Sequence, residues 1–345
     1  MSAVYTPKRT GIILTILGIL LLVSIVLSAG IGAEWVHPRD ILQVLWHHLT
    51  GHAQAADVND TIVWNLRLPR IALALLVGAA LAVAGALMQA LFHNPMADPY
   101  IVGVSSGAAL GAVAVFTFGL QAALGGLNAV SLASFTGGIA VTFLVYGMAR
   151  RGGRVPVSTL LLTGIAVGAL LQAIMAFLLL QQSGAEMHEV MSWMLGSLSN
   201  REWSHVLVLL PYIVVGMGFA LLRGRELNIL ALGDDTAHFL GVSLERTKLL
   251  LLLIASLLAA AAVAVSGIIA FVGLIVPHLM RLLIGPNHRV LLPACVLCGG
   301  LLLVWADVLA RTLIPSGELP IGIVTSVLGS PFFLYLLHKR EGKAF

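Results

Sequence analysis

Charge is what this sequence most lacks. Asp, Glu, Lys and Arg make up 10% of its 345 residues, against about 25% in an ordinary soluble domain, which excludes a water-soluble globular fold. Cysteine is almost missing as well. Cys295 and Cys298 are the two present, so a disulfide framework is excluded. A Cys-x-x-Cys pair can ligate a metal or cycle between redox states, but this one lies alone inside an apolar run and reads better as two small buried apolar residues. No Gly-x-x-x-x-Gly-Lys-[Ser/Thr] run occurs. The Gly342-Lys343 pair is followed by alanine, so the chain has no P-loop with which to cradle the phosphates of ATP. No small-residue cleavage site follows the first apolar run, so Lys8 and Arg9 read as the flank of a retained first helix.

What fills the sequence instead is hydrocarbon: 59% of residues are apolar and the mean hydropathy is +1.01. Such a chain is expected to be an all-α polytopic membrane protein, a single domain over 1–345. Ten spans are expected, at about 11–33, 71–91, 100–119, 129–149, 158–180, 206–222, 247–266, 268–284, 291–310 and 321–338. The run 247–284 is too long for one crossing, and Gly267 is its natural break. The 36 glycines suit close helix approach in lipid, where no hydrophobic force drives association.

Charge placement tests the count. With both termini on the cytoplasmic side, 14 of the 19 basic residues fall inside, against six acids; the outer side holds five basic residues and nine acids. This is the positive-inside bias, and it accounts for the pI of about 9.3 without nucleic acid. Three connections exceed what linkage needs. The first, about 34–66, is outside and holds His37, His47, His48 and His52, candidate ligands for a metal or haem iron that lack close-spaced acidic partners. The second, about 181–205, is outside and carries Met191-Ser-Trp-Met-Leu-Gly-Ser197. The third, about 223–246, is inside. It predicts two short helices around Gly233, with Asp234 or Asp235 capping the second and Gly241 ending it. The apolar face of that hairpin suits a protein partner or the lipid headgroups.

Several motifs carry two readings. Asn94-Pro-Met-Ala-Asp-Pro99 predicts a tight non-helical turn, either a rigid hairpin or a constriction formed by Asn94 and Met96. Arg67-Leu-Pro-Arg70 sits outside, against the charge bias. Its arginines either snorkel to headgroups or receive carboxylates of an external protein. Arg311 shares that side, with Asp307 one turn earlier. Gly103-Val-Ser-Ser-Gly107 matches the nucleophile-elbow pattern but lies in a helical span, so small-residue packing is the better reading and hydrolysis by Ser105 or Ser106 is set aside. His278 follows Pro277, where a kink frees a carbonyl for a structural hydrogen bond. Arg154-Val-Pro156 and Leu319-Pro320-Ile321 enter spans five and ten alike, consistent with inverted five-span halves.

Together with Gly85-Ala-Leu-Met-Gln89, Trp193-Met-Leu-Gly196, Leu232-Gly-Asp-Asp235, Leu240-Gly241, Phe271-Val-Gly-Leu-Ile-Val-Pro-His278 with Arg281, and Glu318-Leu-Pro-Ile-Gly322, these stretches closely resemble the membrane permease of ABC importers for iron chelates, haem and cobalamin, over about 60–340. The resemblance implies a homodimer of ten-span subunits in a bacterial or archaeal plasma (inner) membrane. It implies two separate ATPase subunits, which hold the ATP and Mg and bind the hairpin 224–243 at Leu232, Gly233, Asp234, Asp235, Leu240 and Gly241. It implies a soluble binding protein docking through glutamates at Arg67, Arg70 and Arg311. Asn94, Met96, Val157 and Ser158 match cytoplasmic gate positions, although valine at 157 replaces a hydroxyl found in a relative and makes that gate greasier. The permease itself would be no enzyme and would bind neither metal nor cofactor. Siderophore leads as cargo on the family's breadth. Haem follows on the outer-loop histidines and Met187, Met191 and Met194, with cobalamin third. The competing reading, an ion-coupled secondary transporter, needs ionisable groups near mid-membrane, whereas Asp98, Asp307 and Glu318 sit at span ends.

Overall fold

The computed structural model describes residues 7–32, 34–51, 58–120, 123–124, 127–152, 155–182, 184–314 and 317–341. Of the residues singled out above, His52, Arg154, Gly342 and Lys343 lie outside these ranges. The chain is a helical bundle. Its helices are α1 (Pro7–Gly30), α2 (Pro38–Thr50), α3 (Val58–Leu91), α4 (Val104–Phe118), α5 (Ala129–Ala149), α6 (Val157–Leu179) and α7 (Ala185–Met194). They continue with α8 (Trp203–Leu222), α9 (Gly224–Leu230), α10 (Asp234–Phe239), α11 (Leu244–Ser266), α12 (Val272–Ile284), α13 (His288–Thr312) and α14 (Ile321–Glu341). A two-residue antiparallel pair, Ala123–Leu124 with Leu127–Asn128, closes the α4–α5 connection.

Seven of the helices are long and apolar enough to cross a membrane: α1, α3, α5, α6, α8, α11 and α13. Three shorter apolar ones, α4, α12 and the Ile321–Tyr335 part of α14, stand beside them. These helices overlap the ten stretches expected to span, and among the described residues seven of them are long enough to cross. The break near Gly267 is real: Gly267 takes φ +67, the chain runs non-helically to Phe271, and α12 begins at Val272.

Burial separates centre from periphery. The most apolar stretch of α3 is 83% buried and that of α11 78%, against 17% for α1. Small residues place α3 at the centre. A Cβ on Gly85 would stand 1.8 Å from the Gly273 carbonyl oxygen, and one on Gly78 2.2 Å from that of Gly299. Backbones therefore touch at both crossings, where packing and not hydrophobicity must hold helices together. The Gly103–Gly107 stretch behaves the same way. A Cβ on Gly107 would meet the Gly137 carbonyl at 2.4 Å, so this segment is a packing surface against α5.

The expected first outer loop is largely helical. Pro38, at the N-terminus of α2, has no N–H to lose and a φ already suited to helix, and Gly51 closes α2 in the left-handed region. Span two begins well before residue 71, because α3 starts at Val58 and takes a π-helical course over Thr61–Arg67. That wider winding carries the chain into Leu68-Pro69 without a break. His48 belongs to this cap: its Nε2 lies 2.8 Å from Asp60 Oδ1 and its ring stacks on Trp64. Among the described residues no trio of His, Cys, Asp or Glu converges on a metal-sized site.

Candidate functional site

At one end of the bundle the chain gathers three arginines and two carboxylates. Arg67 and Arg70 sit one turn apart on α3, and Asp307 and Arg311 one turn apart on α13. Arg70 Nε donates to Asp307 Oδ1 at 2.7 Å, and its Nη1 donates to both oxygens of Glu318 at 2.8 and 2.9 Å. Arg311 Nε lies 3.3 Å from Asp307 Oδ2, a charge contact without hydrogen-bond geometry, while its Nη2 donates to the carbonyl and hydroxyl of Ser28 at 2.9 Å. Arg67 turns inward and donates to the carbonyls of Ala29, Gly30 and Glu34. It lies so close over Gly32 that any side chain there would strike the guanidinium. Arg67, Arg70 and Asp307 are all buried. Glu318 is the half-exposed member, and its Oε2 also accepts from the Ser199 hydroxyl. The sequence places the three arginines on one side. The structure adds that they are internally engaged, and that Ser199 and Glu318 complete their network.

Partial burial pushes the Glu318 carboxyl up, but the Ser199 hydroxyl and the Arg70 guanidinium outweigh it and hold it below the usual carboxylate range. Folding thus favours the ionised form. Its stabilisation is fully present above the ordinary glutamate pKa of 4.5 and is lost as pH falls through the lowered folded value. Thermal midpoints measured in detergent between pH 7 and 3 should fall more steeply for the native protein than for Glu318→Gln. Parallel curves would remove Glu318 from the network's energetics.

At the opposite end, α9 and α10 form the expected hairpin. Gly233 itself, at φ +104, is the N-cap of α10, and Asp234 is its first residue, which corrects the expected aspartate cap. A peptide at that φ costs glycine least, and the freed Asp234 carboxylate pairs with Lys248 Nζ on α11 at 2.5 Å. Gly241 turns the chain at φ +81. Leu232, Phe239 and Leu240 stand exposed, at 64%, 88% and 58%. The hairpin is stitched to the bundle by polar groups that sequence reasoning missed. Asn228 Oδ1 accepts from the backbone N–H and Nδ1 of His288, and Asn228 Nδ2 donates to Asn287 Oδ1. His93 Nε2 donates to the Leu230 carbonyl at 2.8 Å. An isolated asparagine or histidine beside a turn gives no sequence signal for such bonds.

The other candidates lie at this end. Asn94 Oδ1 accepts from Met96 N at 3.0 Å, a local turn that leaves Asn94 exposed. Val157 and the exposed Ser158 start α6 after Pro156, and Val155 N just ahead donates to Glu245 Oε2 at the head of α11. No hydrogen bond joins Asn94 or Met96 to Val157 or Ser158 among the described residues. Asp235 and Asp234 occupy the first turn of α10.

A bundle of apolar helices with a buried ionic cluster at one end and an apolar hairpin at the other is the build of a multi-pass membrane protein. The chain belongs to the FecCD transport family, whose model matches residues 20–339. It is 50% identical over 288 residues to the cobalamin import system permease protein BtuC of Halobacterium salinarum, covering 84% of this chain and 76% of that one. It is 43% identical over 337 residues to the hemin transport system permease protein HmuU of Yersinia pestis, covering 95% and 97%. Among solved structures, an inward-facing conformation of a metal-chelate type ABC transporter superposes with a TM-score of 0.82 at 31% identity, covering 97% of this chain and all of that one.

Proposed function

We propose that the chain is the membrane subunit of a binding-protein-dependent ABC importer that moves a bulky iron chelate or a corrinoid inward by ATP-driven alternating access. It works as a homodimer of ten-span subunits in a bacterial or archaeal plasma membrane, with both termini and the α9–α10 hairpin cytoplasmic. It hydrolyses nothing itself; ATP and Mg belong to two separate ATPase subunits. The carrying observation is the hairpin, whose Leu232, Phe239 and Leu240 face outward from the bundle while Asn228 ties it to the first residue of α13. That 25-residue helix extends roughly 37 Å at 1.5 Å per residue, and its far end carries Asp307 and Arg311. A push on the hairpin therefore reaches the arginine cluster along one continuous helix, which holds Pro293 in its second turn. A second path runs from Asp234 through Lys248 to α11, and from Glu245 to the head of α6.

The exposed apolar faces of α6 and α8, with Leu162, Phe177 and Val214 outward, suit the second subunit and lipid. The binding protein docks on the arginine end. Its glutamates reach the cluster past half-exposed Glu318 and compete with it for Arg70. Asn94, Met96, Val157 and Ser158 line the cytoplasmic gate. In proteoliposomes holding the permease, the ATPase and the binding protein, ATP should drive uphill uptake, and Arg67→Glu with Arg311→Glu should weaken binding-protein affinity by at least tenfold. Uptake that persists without the ATPase would refute the assignment in favour of an ion-coupled carrier.

A further inference from the structure

Arg201 stands outside the cluster. Arg201 lies at the same end of the bundle, in the turn between α7 and α8, and lines a cavity of about 380 Å3. That volume is near the lower end of the range for small-ligand sites, roughly 300–1,000 Å3. Unlike Arg67, Arg70 and Arg311, Arg201 makes no hydrogen bond or ion pair among the described residues, and its Nε is buried without a partner. Burial alone pulls its guanidinium below its ordinary value, with no carboxylate opposing the shift. The group nonetheless stays charged at any working pH, so a partly desolvated cation with an unpaired Nε faces the cavity. Buried charge left this way is costly unless something pairs with it.

The walls indicate the pairing group. The chain reaches Arg201 through Asn200, a non-glycine residue at φ +56, a conformation held where the surroundings determine it. Ser192 adds a hydroxyl, those of Ser197 and Ser199 being already donated to Ser199 and Glu318, while Trp193 and Phe116 add ring faces and edges. Among the described residues of the lining the one carboxylate, Glu189, is exposed and beyond ion-pair reach of Arg201. A planar guanidinium fork beside a hydroxyl matches a carboxylate, and aromatic walls match a flat apolar body. Ser197 Oγ donates to Ser199 Oγ, and Ser199 to Glu318, so this cavity adjoins the Arg70 network.

We infer that the Arg201 cavity receives a carboxylate of the incoming cargo, which selects a carboxylate-bearing planar chelate such as haem over an amide-clad corrinoid. This rests on the import reading and narrows its substrate class. Haem, haem dimethyl ester and cyanocobalamin are titrated against the intact permease–ATPase complex in nanodiscs. Haem should bind the native complex, and Arg201→Gln should weaken it at least tenfold. Arg201→Lys, which keeps the charge but not the fork, should fall between native and Arg201→Gln and so exclude misfolding as the cause. Haem dimethyl ester should bind weakly to native and Arg201→Gln complexes alike. Equal haem affinity in native and Arg201→Gln complexes, ester binding as tight as haem, or cyanocobalamin binding that depends on Arg201 would each overturn the inference. Stimulation of ATPase activity by the binding protein is read separately: its absence sinks the import reading and leaves the Arg201 result standing.

Discussion

Replacing Asp307 with alanine should leave little folded protein in the membrane. Asp307 is 1% exposed and is shared by two arginines, at 2.7 Å from Arg70 Nε and 3.3 Å from Arg311 Nε. Removing one partner of a buried ion pair costs about 3–5 kcal/mol, because the survivor keeps its desolvation penalty and loses its compensation. Here two cations are stranded at once. Against a typical total of about 5–15 kcal/mol, that loss is decisive. Arg70 retains Glu318 and Arg311 retains Ser28, so the cost should lie within that range and not at twice it. The check is thermal melting of the detergent-purified protein. Asp307→Ala should melt far below native, and Asp307→Asn, which keeps an acceptor for Arg70 Nε, should fall between. A midpoint for Asp307→Ala matching native would mean that the cluster carries no net stability.

The same logic predicts asymmetry between making and breaking. Buried ion pairs replaced wholesale by apolar groups of like volume are often neutral or stabilising. A variant with Arg70→Met, Asp307→Leu and Arg311→Met should therefore recover much of what Asp307→Ala loses. If it also fails to bind the binding protein, stability and docking will have been separated within one cluster.

Much of this architecture was legible because lipid imposes simple rules. Hydropathy runs located the ten apolar helices. Gly267 marked a break because a helix cannot cross there, and Gly233 and Gly241 marked the hairpin because turns there require positive φ. Long-range polar contacts were not legible. Nothing near Asn228 announces His288, sixty residues on, nor does Ser199 announce Glu318. The helical course of residues 58–70 was missed because Pro69 reads as a start signal, whereas the π-helical stretch before it lets the helix continue. The three arginines were legible as a set. Their engagement was not, since the carbonyls of Ala29 and Gly30 that hold Arg67 carry no side-chain signature.

The second large effect lies at the other end. Leu232→Asp with Phe239→Asp should reduce ATP-driven uptake to background. Both side chains project from the hairpin, so neither substitution opens a cavity, and the melting temperature should stay near native. Burying a leucine or phenylalanine in an interface contributes roughly 1.5–3 kcal/mol each, and a carboxylate forced into the same pocket adds its own desolvation cost. If the hairpin is the ATPase contact proposed above, two such changes should weaken ATPase association by at least a hundredfold, since each 1.4 kcal/mol is a factor of ten. Co-purification of the ATPase reads this directly. A carrier powered by an ion gradient has no use for an exposed apolar elbow, and under that mechanism uptake would survive both aspartates. Loss of uptake with the fold intact and the ATPase absent from the complex is the combination that only a borrowed motor explains.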